Sequence, residues 1–248
     1  MQDLKETLYN NISLGSTTPM ANEFNTAIDF IEDILVECDK YGFKTVTYFV
    51  IFDNTCNDGT YELLKNYSIN ENRLRVVFEP DNRCVVDAYV KGYEEAIMAS
   101  CDWILEIDAG YSHLPSEISR FFEKMGSNYD CVFGSRFIKG GVYQDAPILR
   151  YILSKWGSLL VNLIMRTKLR DMTSGFEIFK KEVLFQLLQN NYIQSKNTFF
   201  QTEIRFYCHK YNIVEVPITY SNPSLLDTKT AMYDALKDLY FLYKKNIL

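Results

Sequence analysis

Thr45-Val46-Thr47-Tyr48-Phe49-Val50-Ile51-Phe52 is β-branched or aromatic at every position, and it breaks off into Asp53-Asn54-Thr55-Cys56-Asn57-Asp58-Gly59-Thr60. An apolar run without polar alternation reads as a strand covered on both faces. The polar turn behind it caps a helix. The same alternation recurs on either side. Upstream, Ile12 to Ser16 reads as a strand and Asn22 to Lys40 as a helix, with Ala27, Ile31, Ile34, Leu35 and Cys38 at helical spacing. Downstream, strands are expected at Leu74 to Phe78, Trp103 to Ile107 and Asp130 to Gly134, with a helix from Val85 to Ala99. This βαβα rhythm predicts an α/β fold, a mostly parallel central sheet flanked by helices, with a Rossmann-like nucleotide-binding half. Ligands on such sheets bind beyond the carboxyl ends of the strands. Asp53 and Asp108, each directly behind an apolar strand, are therefore expected to share one crevice.

The last third reads differently. Arg150 to Thr167 is a strongly apolar helix, Asp171 to Phe176 a turn into a short strand, and Ile213 to Ile218 a strand whose Pro217 suits a sheet edge. Ala231 to Asn246 is a helix carrying Tyr233, Leu236, Leu239, Tyr240 and Tyr243. The expected organisation is a single domain over 1–220, with a donor-binding half at 11–135 and an acceptor half at 136–220. A C-terminal loop and amphipathic helix follow at 221–248.

Composition narrows the function. At 248 residues, 47% apolar and 23% charged, the chain has the makings of one large packed domain. A net charge of −6 argues against a sequence-independent nucleic-acid binder. The six cysteines form no C-x-x-C pair and there are only two histidines, so a zinc site is not expected. Met1 to Glu6 lacks the apolar run of a signal peptide, and no stretch reaches roughly 18 uncharged apolar residues. The expectation is a cytoplasmic chain with reduced thiols and no transmembrane span. No G-x-G-x-x-G follows the first strand and no G-x-x-x-x-G-K-[ST] occurs, which removes support for a dehydrogenase or a P-loop NTPase.

Six spaced motifs run through the chain: Pro19-Met20-Ala21-Asn22-Glu23; Asp53 to Thr60; Asp108-Ala109-Gly110-Tyr111-Ser112-His113-Leu114-Pro115; Gly134-Ser135-Arg136-Phe137 with Gly140-Gly141; Asp171 to Phe176; and Val214 to Ile218. In this order they resemble family 2 glycosyltransferases, in the branch of dolichyl-phosphate mannose synthase. The resemblance implies the GT-A fold and an inverting transfer of a hexosyl group from a nucleotide-diphosphate sugar, GDP-mannose or a UDP-sugar, to a polyprenyl or dolichyl phosphate. It gives nucleotide binding to Pro19, Glu23 and Asp53, and diphosphate chemistry to Asp108. Asp108 is also the expected ligand of a Mg²⁺ or Mn²⁺ ion, with Glu106 as a fallback. The acceptor phosphate falls to Ser135, Arg136, Arg150 and Lys229, Arg136 counting as catalytic.

The physical logic agrees. A departing diphosphate needs its growing charge stabilised, guanidinium forks suit phosphate oxygens, and a phosphomonoester with a second pKa near 6 needs no base to attack. The chain also departs from the pattern. The second carboxylate of the metal motif falls on Gly110, Glu177 stands where an arginine often follows T-S-G-F, and the terminal loop keeps only Lys229. Two alternatives stay open: a glycan hydroxyl as acceptor, for which Glu203 is the candidate base, or a non-catalytic sugar-nucleotide binder. The apolar helix from Arg150 and the aromatic C-terminal helix suit a peripheral contact at the inner face of a membrane, core packing, or a homodimer.

Overall fold

The computed structural model describes residues 9–144, 148–221 and 228–246, the side chains of 228–231 excepted. From the N-terminus the elements run β1 (Ser13–Pro19), α1 (Ala27–Asp39), β2 (Thr45–Phe52), α2 (Thr60–Tyr67), β3 (Leu74–Phe78), α3 (Val85–Met98) and β4 (Trp103–Glu106). A 3₁₀ turn at Pro115–Glu117 leads into α4 (Ile118–Met125), β5 (Cys131–Ser135), β6 (Val142–Tyr143) and α5 (Ile148–Met165). The chain closes with β7 (Glu177–Lys180), α6 (Lys181–Gln189), α7 (Phe200–Cys208), β8 (Ile213–Pro217), β9 (Thr219–Tyr220) and α8 (Thr228–Asn246).

Seven strands form one sheet in the order β3-β2-β1-β4-β7-β5-β8. All pairings are parallel except those of β7, which runs antiparallel between β4 and β5. β2 shows why the deciding stretch has no polar alternation. Tyr48, Val50 and Phe52 enter the core beneath α1 and α4, while Phe49 and Ile51 enter the core beneath α3, α5, α6 and α7. Both faces of the strand are dry. β8 lies at the sheet edge, as its Pro217 predicts. α4 and α6 and the small parallel β6–β9 sheet were not legible in the sequence.

α5 is the helix that bears on the expectation of no transmembrane span. It is 18 residues long and, among the described residues, the only helix long and apolar enough to cross a membrane. It is nonetheless tethered along the domain. Ser158, Val161 and Met165 are buried, Ser158 Oγ accepts the Met172 N–H at 3.0 Å, and Asn162 Nδ2 donates to the Leu169 carbonyl at 2.5 Å.

Candidate active site

Thr17 of β1 pairs with both Phe49 of β2 and Glu106 of β4. β2 and β4 therefore end on the same side of the sheet with one strand between them, roughly 10 Å apart by the usual strand spacing. Asp53 and Asp108 follow those ends, as expected from the sequence. Pro19 closes β1 between them.

The loops behind β1 and β2 are locked together. Asn22 Oδ1 accepts the Asn57 N–H at 2.9 Å, and Asp58 Oδ2 accepts the Phe24 N–H at 3.0 Å. Asp58 Oδ1 accepts from Thr60 N and Oγ1, and Thr60 Oγ1 in turn accepts the Glu23 N–H at 2.9 Å. The bonds from Thr60, ahead of the others, hold the Asp58 carboxyl below the ordinary carboxylate range. Asp53 turns one oxygen inward, Oδ1 accepting from Thr55 N at 2.9 Å and Thr55 Oγ1 at 2.6 Å.

Asp108 opens onto a cavity of about 660 Å³, whose polar end also carries Arg136, Arg150, Thr173 and Gln201. That volume suits a small-molecule site. Tyr89 donates its hydroxyl to Asp108 Oδ1. Gly175 brings the main chain so near that a Cβ there would lie 3.2 Å from Oδ2. The Asp108 side chain keeps 37% of its surface open. Its deep setting pushes the carboxyl up to about 6, against the opposing pull of the Tyr89 bond and the Arg136 charge. His113 is wholly buried, and that burial, with the Arg136 charge, drives it down to about 3, so the ring is neutral.

Arg136 is nearly buried and held as a fork. Nε donates to Asp171 Oδ2 at 2.7 Å, and Nη2 to Asp171 Oδ1 at 2.8 Å and to Thr173 Oγ1 at 2.6 Å. The rings of Phe137, Tyr143 and Tyr220 surround the guanidinium at 5.1–5.3 Å. Burial would raise Asp171, but the Arg136 charge outweighs it and holds the carboxyl well below its usual range.

Several expected residues have other roles. Ser135 is fully buried, its Oγ accepting the Phe137 N–H at 3.4 Å, and does not line the cavity. Glu203 is also withdrawn. Its Oε2 accepts the Gln194 and Ser195 N–H groups at 3.0 and 2.8 Å, while Gln201 and Thr202 of the same helix line the cavity. The hydroxyl-acceptor alternative thereby loses its base. Glu106, the fallback metal ligand, is buried beneath the site, accepting from Tyr93 Oη and Gln201 Nε2. Lys229 opens α8, but its side chain lies outside the described residues. Gly134 and Gly141, in the motif that carries Arg136, sit at close backbone contacts. A Cβ at 134 would meet the Phe176 carbonyl at 2.7 Å, and one at 141 the Ser135 carbonyl at 2.6 Å, so these glycines allow backbones to touch.

Sequence reasoning missed Arg205. It is fully buried, donating to the Asp171 and Ser174 carbonyls at 2.5 and 3.0 Å, and lies 3.0 Å from Glu177. A guanidinium therefore does serve the T-S-G-F loop, but from α7. The substitution of Glu177 for arginine was the one signal for such a swap.

Beyond the polar end the cavity becomes apolar and runs between α5 and α8, past Leu153, Trp156, Gly157, Leu160, Leu236 and Leu239. A second groove of about 490 Å³ continues it, sharing Leu236 and Leu239 and adding Leu163, Ile164, Tyr240 and Tyr243. Trp156, Leu163, Tyr233 and Tyr240 are exposed around it.

The description of glycosyl transferase family 2 fits residues 17–188, more than half of the chain, from within β1 to near the end of α6. The chain belongs to glycosyl transferase family 2. It is a glycosyltransferase of GT-A fold. Over 181 residues it is 26% identical to a polyprenol monophosphomannose synthase of Mycolicibacterium smegmatis, covering 72% of this chain and 68% of that one. It is 28% identical to an undecaprenyl-phosphate mannosyltransferase of Micrococcus luteus, covering 73% and 74%. A dolichol-phosphate mannosyltransferase of Pyrococcus furiosus is 28% identical over 79% of this chain and 54% of its own length. Among solved structures, glucosyl-3-phosphoglycerate synthase from Mycobacterium tuberculosis, in complex with Mn²⁺, uridine diphosphate and phosphoglyceric acid, aligns with a TM-score of 0.70. The identity is 14%, over 98% of this chain and 82% of that one. At that identity the likeness concerns the fold.

Proposed function

We propose that this family 2 glycosyltransferase moves a hexosyl group from a nucleotide-diphosphate sugar to a polyprenyl phosphate, inverting the anomeric carbon. The observation that carries the reading is the two-natured cavity. Asp108, Arg136 and Arg150 stand at one end, and a hydrocarbon-lined trough leads away between α5 and α8. A phosphate on a long apolar chain matches both ends at once, and a glycan matches only the first. The relatives named as polyprenyl-phosphate mannose transferases support the same acceptor class.

In this reading the nucleoside of GDP or UDP lies over the strand ends of β1 and β2, against Pro19 and Asp53, and its diphosphate points toward Asp108. A hard divalent cation, Mg²⁺ or Mn²⁺, takes one or two carboxylates and leaves its other positions to phosphate and water; Asp108, partly open to the cavity, fits that demand. Such an ion supplies charge to the departing diphosphate. Arg150, and Arg136 through the Nη1 edge that Asp171 and Thr173 do not take, orient the acceptor phosphate by charge-assisted hydrogen bonds. A phosphate oxygen then attacks the anomeric carbon as the bond to the nucleotide breaks, and the diphosphate carries the electron pair away. The neutral His113 and the buried Glu203 take no proton. The exposed tryptophan and tyrosines of α5 and α8 suit a bilayer interface, with the protein at the inner face of the membrane and the prenyl chain entering sideways.

The test is direct. Purified protein is incubated with labelled GDP- and UDP-sugars, a prenyl phosphate, and Mg²⁺, Mn²⁺ or chelator. Label is expected in the lipid fraction with one of the donors. Nucleotide-induced thermal stabilisation with no labelled lipid from any donor would overturn the acceptor.

A further inference from the structure

The missing carboxylate at position 110 has a physical counterpart in the fold. Gly110 adopts the left-handed region at φ +72°, and a Cβ built on it would lie 2.9 Å from Glu23 Oε1 and 3.3 Å from Glu23 Oε2. The carboxylate of Glu23 therefore sits where a side chain at 110 would begin, two residues along the loop from Asp108. Glu23 is well fixed there. Its N–H donates to Thr60 Oγ1 at 2.9 Å, and its carbonyl accepts from the Thr26 and Ala27 N–H groups at 3.0 and 2.9 Å. Its Oε2 accepts from Thr26 Oγ1 at 3.0 Å, while Oε1 faces Gly110.

A second observation points to a ligand at this place. His113 is wholly buried with Nε2 3.7 Å from Asp108 Oδ2. Neither ring nitrogen meets a partner at hydrogen-bond geometry among the described residues, although the Thr219 main chain is near enough to act on the ring. A buried imidazole whose ring nitrogens lack partners is destabilising unless a bound group or ordered water completes it.

We infer that Glu23 supplies, from the loop behind β1, the second carboxylate absent at position 110, so that Asp108 and Glu23 together hold the divalent cation of the sugar-nucleotide diphosphate. The inference rests on the donor reading above. Among the described residues no three Asp, Glu, His or Cys side chains gather as a ready-made cage. Two carboxylates with phosphate and water are what a Mg²⁺ or Mn²⁺ site of this kind requires. Glycine at 110 is then part of the device, because any side chain there would displace the Glu23 carboxylate. Positions 23 and 110 are coupled through one small volume.

The experiment follows Mn²⁺ binding rather than turnover. Mn²⁺ is titrated by electron paramagnetic resonance into protein saturated with UDP or GDP, for the wild type, Glu23→Gln, and Glu23→Gln with Gly110→Asp. Gln keeps the bond from Thr26 and the shape while removing the charge, so the fold is expected to persist, checked by circular dichroism. Glu23→Gln should weaken Mn²⁺ by at least about tenfold, the scale of losing a group that sets a metal site. The double variant should recover most of that loss, since aspartate tolerates the left-handed region. Mn²⁺ affinity unchanged in Glu23→Gln, or a double variant no better than the single, would overturn the inference. Nucleotide binding by the wild type that ignores Mn²⁺ would overturn it too, while leaving the donor reading intact. A wild type that binds neither nucleotide under any condition would sink both.

Discussion

The loops behind β1 and β2 are joined by polar bonds between named atoms, Asn22 to Asn57 and Asp58 to Phe24 and Thr60, whereas α5 and α8 meet through leucines and tyrosines with their outer faces open. In the proposed reading the contrast follows from what each end holds. A nucleotide is recognised by a few oxygens and N–H groups placed to within tenths of an ångström. A hydrocarbon chain needs only a continuous apolar surface, and tolerates variation in every side chain that forms it. The first end is rigid and specific, and the second is permissive.

The largest expected effect lies where the two ends meet. Asp108→Ala should lower transfer by about a thousandfold, the scale of removing an electrostatic group from a charge-building transition state. A labelled-lipid assay showing a rate within about twofold of wild type would break the division into donor and acceptor ends. Next is Arg136→Lys, which keeps the charge and loses the fork on Asp171. Transfer is expected to fall roughly tenfold to a hundredfold, with the acceptor KM rising and the donor KM steady. Separate KM determinations check it, and a rise in the donor KM with the acceptor KM steady would place Arg136 at the donor end.

A smaller effect sharpens the permissive side. Leu236→Glu in the trough should raise the KM of a long prenyl phosphate by about tenfold, about 1.4 kcal/mol. A short, water-soluble prenyl phosphate should be used as before. Loss with both acceptors would mean that the trough is structural.

The smallest effect concerns the floor beneath Asp108. Glu106 and Glu177 are paired on neighbouring strands, both fully buried. Burial pushes Glu177 up to about 8 despite Arg205, and Glu106 is raised as well, by burial first and then by Glu177. The folded chain thus holds a proton that the unfolded chain gives up from about pH 4.5. Stability should therefore decline as pH rises from there through about 8. Glu106→Gln removes one carboxylate and should flatten that decline in Tm, measured by thermal unfolding across the same window. An unchanged slope would show that the pair does not share a proton.

Much of the fold was legible because burial imprints itself on local sequence. β2 and β3 match their expected bounds, and α3 and β5 differ by a residue, since apolar runs and helical spacing need no knowledge of distant partners. β7 was read as a short strand, but its antiparallel insertion between β4 and β5 was not legible. Asp53 and Asp108 were legible as strand-end groups for the same reason. Ser135 and Glu203 were misread because a residue's place in a motif does not say which way its side chain points. Ser135 faces inward in a strand that is dry on both faces, and Glu203 satisfies two main-chain N–H groups eight and nine residues before it.

The sequence by itself determined the parallel strands of the sheet, the order of its motifs and the strand ends behind which Asp53 and Asp108 stand, because each follows from patterns of a few residues. Only the tertiary structure decided that Glu23 fills the space beside Gly110, that Arg205 serves the loop where Glu177 stands, and that α5 and α8 frame a trough continuous with Asp108. Those arrangements join residues dozens of positions apart. Their energies depend on side-chain direction and close approach in the assembled molecule, which no local pattern records.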